Sequence, residues 1–88
     1  VTDPSPHPET VDGLDVNEAE DGLVVYDQTT DTVHHLNKTA AVIFGLCDGS
    51  RDAAAIAAEL AVLFDLDEPP LAETRTCLAE LAEKRLIT

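Results

Sequence analysis

Residues 23–50 read LVVYDQTTDTVHHLNKTAAVIFGLCDGS, and the changes of pattern within them decide the fold. Leu23, Val24, Val25 and Tyr26 are β-formers in a short run, which predicts a strand. Residues 27–31 are turn-forming, and Thr32, Val33, His34, His35 and Leu36 predict another strand. Asn37 then stands where a helix N-cap belongs, because its side-chain oxygen can accept from a free backbone N–H of the first turn. Beyond it Ala40, Val42, Ile43, Leu46 and Cys47 supply an apolar face, predicting a helix over 38–47. Asp48-Gly49 ends that helix, with Gly49 in the left-handed conformation.

Upstream, Leu14-Asp15-Val16 alternates apolar and polar and predicts a first strand. Residues 17–22 (NEAEDG) are polar and end in Asp-Gly, a tight-turn signal. Residues 1–12 hold three of the five prolines and little to bury, which predicts a flexible tail with a solvated His7, ahead of one domain over 13–88. Downstream, Ser50 or Asp52 caps a helix over 53–64 whose apolar set is Ile56, Ala57, Leu60, Leu63 and Phe64. Pro69-Pro70 opens a third helix reaching about Lys84, with Leu71, Leu78 and Leu81 on one face and Cys77 beside it. Lys84 and Arg85 suit its negative end, and Leu86-Ile87 packs back. The expected fold is α+β: a three-stranded antiparallel sheet followed by three helices (βββααα). The last helix pair is helix-turn-helix-like, so the whole is winged-helix-like.

Eighty-eight residues make one domain with a thin core, and only Tyr26, Phe44 and Phe64 are aromatic. The chain carries 18 acidic against 5 basic residues, a formal charge of -13. Phosphate backbones and anionic membranes repel such a surface, so neither nucleic acid nor membrane is an expected partner. The third helix would make a poor recognition helix, because Glu73, Glu80 and Glu83 outweigh Arg75 and Lys84. A neutral or basic partner would be steered in, unless the acidity serves solubility alone. Cys47 and Cys77, 30 positions apart among apolar residues, read as buried free thiols, with a disulfide between them as the less supported alternative. Neither a signal peptide nor a long apolar run occurs, so the cytoplasm is the default compartment. The chain contains no Met, and Val1 reads as the residue of an alternative start codon or as a processed end.

Catalytic signatures are missing. Gly13, Gly22, Gly45 and Gly49 are scattered, and neither HExxH nor GxSxG occurs. His34 and His35 are neighbours on a strand, so their imidazoles point to opposite faces and do not chelate one metal. The expectation is a protein that is no enzyme and carries no metal or cofactor. The third strand invites a different role. It has no Lys, Pro or Gly to blunt an edge, and it runs straight into a helix that would hold it rigid. Such an edge suits the addition of an extended peptide, with backbone bonds giving affinity. Alternatively a homodimer or a loop covers it.

His35-Leu36-Asn37, Thr39-Ala40-Ala41, the run Leu46-Cys47-Asp48-Gly49-Ser50, then Ile56 and Leu60, and the closing Leu78, Leu81 and Leu86-Ile87 together resemble the PqqD-like family. The resemblance spans about residues 14–87. It implies a RiPP recognition element, a small chaperone-like protein that binds the leader of a ribosomally made precursor peptide. The leader would add as a strand to the third strand, lie against the third helix and be presented to a radical-SAM enzyme, a cyclodehydratase or a leader peptidase. Carried over, the peptide site would be Thr32, Val33, His34, His35 and Leu36 on the strand. Helical periodicity extends it to Thr74, Cys77, Leu78, Leu81 and Arg85. Lasso-peptide members usually carry an aromatic pair in the third strand and Thr-Gly after the Asn. Val33-His34-His35 and Thr39-Ala40-Ala41 depart from this and lean toward the pyrroloquinoline-quinone type or a radical-SAM-associated relative. The alternative role is an assembly domain that dimerises through its edge strand.

Overall fold

The computed structural model describes residues 7–88. Three strands come first, β1 (Leu14–Ala19), β2 (Gly22–Asp27) and β3 (Thr32–Asn37). Three helices follow, α1 (Lys38–Leu46), α2 (Ala53–Leu63) and α3 (Leu71–Glu83). The sheet is antiparallel in the order β1-β2-β3, so β3 is an edge. This is the βββααα order that the sequence predicts.

The register sorts the sheet into two faces. Val16, Val25 and His34 lie in one row, and Glu18, Leu23 and Leu36 in the next, on the face toward the helices. Val25 and Leu36 on that face are buried against Ile43, Phe44, Ile56, Leu60, Leu78 and Leu81. Asp15, Tyr26 and Val33 share the opposite face with Asn17, Val24 and His35. α1 packs on β2 and β3, while α3 packs on α1 and α2. β1 is longer than the expected three residues because Ala19 pairs with Gly22, leaving a two-residue turn at Glu20-Asp21. Gly22 is required there, since a Cβ would run into the backbone carbonyl of Leu36.

Each helix end follows local chemistry. Asn37 Oδ1 accepts from the Ala40 N–H at 2.8 Å, and Asp52 Oδ1 accepts from the Ala55 N–H at 2.8 Å, so Asp52 is the cap of α2. α2 and α3 end in Schellman motifs. Leu66 N–H donates to Ala61 O at 2.8 Å behind a left-handed Asp65 (φ 53°). Leu86 N–H donates to Leu81 O at 3.0 Å behind a left-handed Arg85 (φ 60°). The second motif turns Leu86 and Ile87 into the core, each contributing about 2 kcal/mol of burial.

Gly49 is left-handed (φ 84°), as expected, but it sits three residues beyond α1, in the Asp48-Gly49-Ser50 turn. Asp48 organises that turn, accepting from Ser50 N–H (3.0 Å), Ser50 Oγ (2.6 Å) and Arg51 Nη1 (2.9 Å). The Ser50 bonds and the Arg51 charge hold its carboxyl below the usual carboxylate range. The turn anchors a stretch assigned by the sequence to a flexible tail. Gly49 N–H donates to Pro8 O at 3.0 Å, Thr10 N–H to Cys47 O at 3.0 Å and Val11 N–H to Leu86 O at 3.1 Å. Pro8 is fully buried, while His7 is exposed. Residues 8–11 therefore belong to the fold, held by backbone pairing that carries no hydrophobic period; the first six residues of the expected tail lie outside the described residues.

Two substitutions test these readings by thermal denaturation. Gly22→Ala should destabilise the fold by about 1–3 kcal/mol, because the Leu36 carbonyl has to move. Arg85→Gly should raise stability by up to about 1 kcal/mol, relieving a left-handed side-chain residue.

Candidate functional site

β3 and α1 meet without a loop: Asn37 closes the strand and Lys38 opens the helix. α3 passes alongside this junction and leaves a groove of about 400 Å³. One wall is Asn37, Thr39 and Ala40; the other is Ala72, Glu73, Thr76, Cys77 and Glu80 of α3. Ala40 and Cys77 are half-buried at its floor, and Glu73 and Glu80 are exposed at its rim. Thr76 Oγ1 donates back to Ala72 O at 3.0 Å, which leaves its methyl to pack. The result is a shallow, mainly apolar channel with an acidic lip, at the end of an edge strand.

A second cavity, about 330 Å³ and almost wholly apolar, opens beside the groove and shares Thr39 and Glu73 with it. Ile43, Leu60, Phe64, Leu66 and Pro70 line the rest, together with Thr74. The Thr74 hydroxyl is buried without a hydrogen-bond partner in the protein.

The residues singled out from sequence fall into three groups. Thr32, Val33 (62% exposed), His34 and His35 lie along the free strand, with His34 half-buried on the helix side and His35 exposed on the other. Cys77 lines the groove, and Thr74 lines the neighbouring cavity. Leu36, Leu78 and Leu81 are core residues, and Arg85 is exposed beyond the end of α3. Sequence reasoning missed Ala72, Thr76 and Glu80, an i, i+4, i+8 row, and Glu73, one turn before Cys77. The small side chains of Ala72 and Thr76 next to the leucine stripe were the available signal. The His35 imidazole lies 3.8 Å from Asp21 Oδ1, with both groups in solvent. Among the described residues, no three His, Cys, Asp or Glu side chains converge as metal ligands, and no helix is long and apolar enough to cross a membrane.

The model of the family described as "Coenzyme PQQ synthesis protein D (PqqD)" matches residues 22–87. The chain belongs to the PqqD family. The match begins at the Gly22 turn and ends at the buried Ile87, so it takes in β2, β3 and all three helices. Two solved structures share the PqqD fold seen here. TbiB1 in complex with the TbiA(beta) leader peptide superposes with a TM-score of 0.75 at 21% identity, covering 90% of this chain and 93% of that one. Lasso peptide synthetase B1 complexed with the leader peptide gives 0.70 at 19% identity, covering 93% and 98%. No curated protein matches the sequence.

The two thiols differ in access. Burial pushes Cys47 up to about 12 from an ordinary 9.0, and its Sγ donates to Ile43 O at 3.1 Å. Cys77 is raised by burial and by the nearby Glu80 carboxylate, yet it reaches the groove. A thiol reagent should therefore modify Cys77 well before Cys47, as peptide mass mapping would show. Cys47 should also make stability fall as pH rises from about 9 toward 12, because the unfolded chain loses this proton first. Denaturant midpoints across that range should be flatter in Cys47→Ala.

Proposed function

We propose that this chain is a RiPP recognition element. It binds the leader of a ribosomally made precursor peptide as a fourth strand on β3 and presents it to a modifying enzyme, either a radical-SAM enzyme, a cyclodehydratase or a leader peptidase. The observation that carries this reading is the meeting of an open strand edge with an apolar groove at Asn37. A peptide paired to β3 makes backbone bonds along Thr32, Val33, His34 and His35, and its continuation enters the channel between α1 and α3. Alternate side chains on the helix side meet His34, Ala40 and Cys77. Apolar ones fit a channel with this lining. Glu73 and Glu80 at the lip favour a leader with Lys or Arg there.

Family membership supports the reading, as do two solved proteins of the same fold that are described with leader peptides bound. The role is binding without catalysis, carried out in the cytoplasm with no cofactor. The rival reading pairs the same edge with a second copy of the chain, and sedimentation separates the two, since only that reading requires a dimer of the free protein.

Ala72→Trp places an indole across the groove from an exposed position, sparing the core. Titration with a leader peptide from a neighbouring precursor gene should show affinity reduced about tenfold or more, some 1.4 kcal/mol. Unchanged affinity would place the peptide elsewhere. Binding by the native sequence should weaken with added salt, because Glu73 and Glu80 at the lip are exposed and therefore screened.

A further inference from the structure

α2 is unusual for a surface helix in so charged a protein. Of its eleven residues, only Glu59 is ionisable. A helix apolar on all sides is normally covered on all sides. Here Ile56, Ala57 and Leu60 enter the core, whereas Ala54, Ala58, Val62 and Leu63 face outward. Val62 is 78% exposed and Leu63, which helical periodicity assigns to the core, is 58% exposed. The Schellman bond from Leu66 N–H to Ala61 O ends the helix and is followed directly by another exposed apolar residue, Leu66 (44% exposed). Among the described residues, three of the five large exposed hydrophobic ones thus occur within five positions. Contiguous apolar surface of this kind marks an interaction site.

The charge around the patch restricts what covers it. From residue 52 to residue 74 there is no Lys or Arg, and Asp52, Glu59, Asp65, Asp67, Glu68 and Glu73 are all exposed. A second copy would bring the same carboxylates against them, and anionic lipid would be repelled. We propose that the outward face of α2, with Leu66, docks a second protein through an apolar surface ringed by Lys and Arg. On the function proposed above, that protein is the modifying enzyme. None of the patch residues lines the groove; Leu66 alone reaches the neighbouring cavity, and Val62 and Leu63 line neither. Peptide and enzyme can then be held on separate surfaces of one small domain.

The test uses a helical peptide of leucine and lysine, its leucine–glutamate counterpart, and a double variant, Val62→Ser with Leu63→Ser. Both substitutions are at exposed sites, and circular dichroism checks that the fold is kept. The lysine peptide should bind the native protein, shift amides across residues 54–68, and bind the variant about tenfold more weakly. The glutamate peptide should not bind. Equal affinity for native and variant protein, or shifts confined to the β3–α3 groove, would overturn the proposal. So would a native dimer in sedimentation that the variant loses, because a second copy would then be the occupant. Leader affinity is measured on the same pair and should be unchanged by the substitutions. If the native protein ignores the leader yet the lysine peptide still discriminates, the docking face stands and the reading of its partner as a leader-modifying enzyme falls.

Discussion

The direct join of β3 to α1 at Asn37 sets the geometry of everything around it. A strand residue that is also a helix cap leaves no loop to absorb variation, so the angle between sheet and helix is set by the junction itself, by its side-chain bond to the Ala40 N–H and by the packing of α1 on β2 and β3. That angle brings Ile43 and Phe44 down onto Val25 and Leu36 and lets α2 and α3 close the core from one side only. It also holds the outer edge of β3 in the open and turns the start of α1 into one wall of a groove. Core and candidate site are consequences of the same short junction, which is why substitutions in one are expected to be felt in the other.

Most of the fold was legible because its signals are local. The Asn37 and Asp52 caps, the proline entry to α3 and the change of period after Leu36 each mark a boundary by backbone chemistry. What escaped detection has a physical reason. β1 runs through Asn17 and Glu18 although no helix covers it, so the alternation that announces a half-buried strand is lost. Residues 8–11 are fixed by backbone pairing to Cys47, Gly49 and Leu86, partners that are distant in sequence. In α3 the leucines are buried in the core, and the neighbouring row of Ala72, Thr76 and Glu80 lines the groove. The edge position of β3 was legible because three strands joined by short turns form a meander, which leaves the third at the margin.

Charge and apolar surface divide the work between them. A formal charge of -13 repels phosphate and anionic lipid and attracts cationic groups at long range. Binding strength has to come from elsewhere, because exposed charges are screened within about 10 Å at ordinary salt. The unpaired edge of β3 offers backbone bonds, the α1–α3 groove offers apolar contact, and the outward face of α2 offers a second, separate apolar surface. The proposed adaptor role rests on these three features.

The central claim is that a peptide completes the sheet at β3. Hydrogen exchange of the backbone amides, with and without leader peptide, reads it directly. Amides of β3 that point away from β2 should become strongly protected when the peptide binds, with smaller changes in the α3 residues that line the groove. Protection of β3 that stays the same while the peptide is demonstrably bound would contradict strand addition.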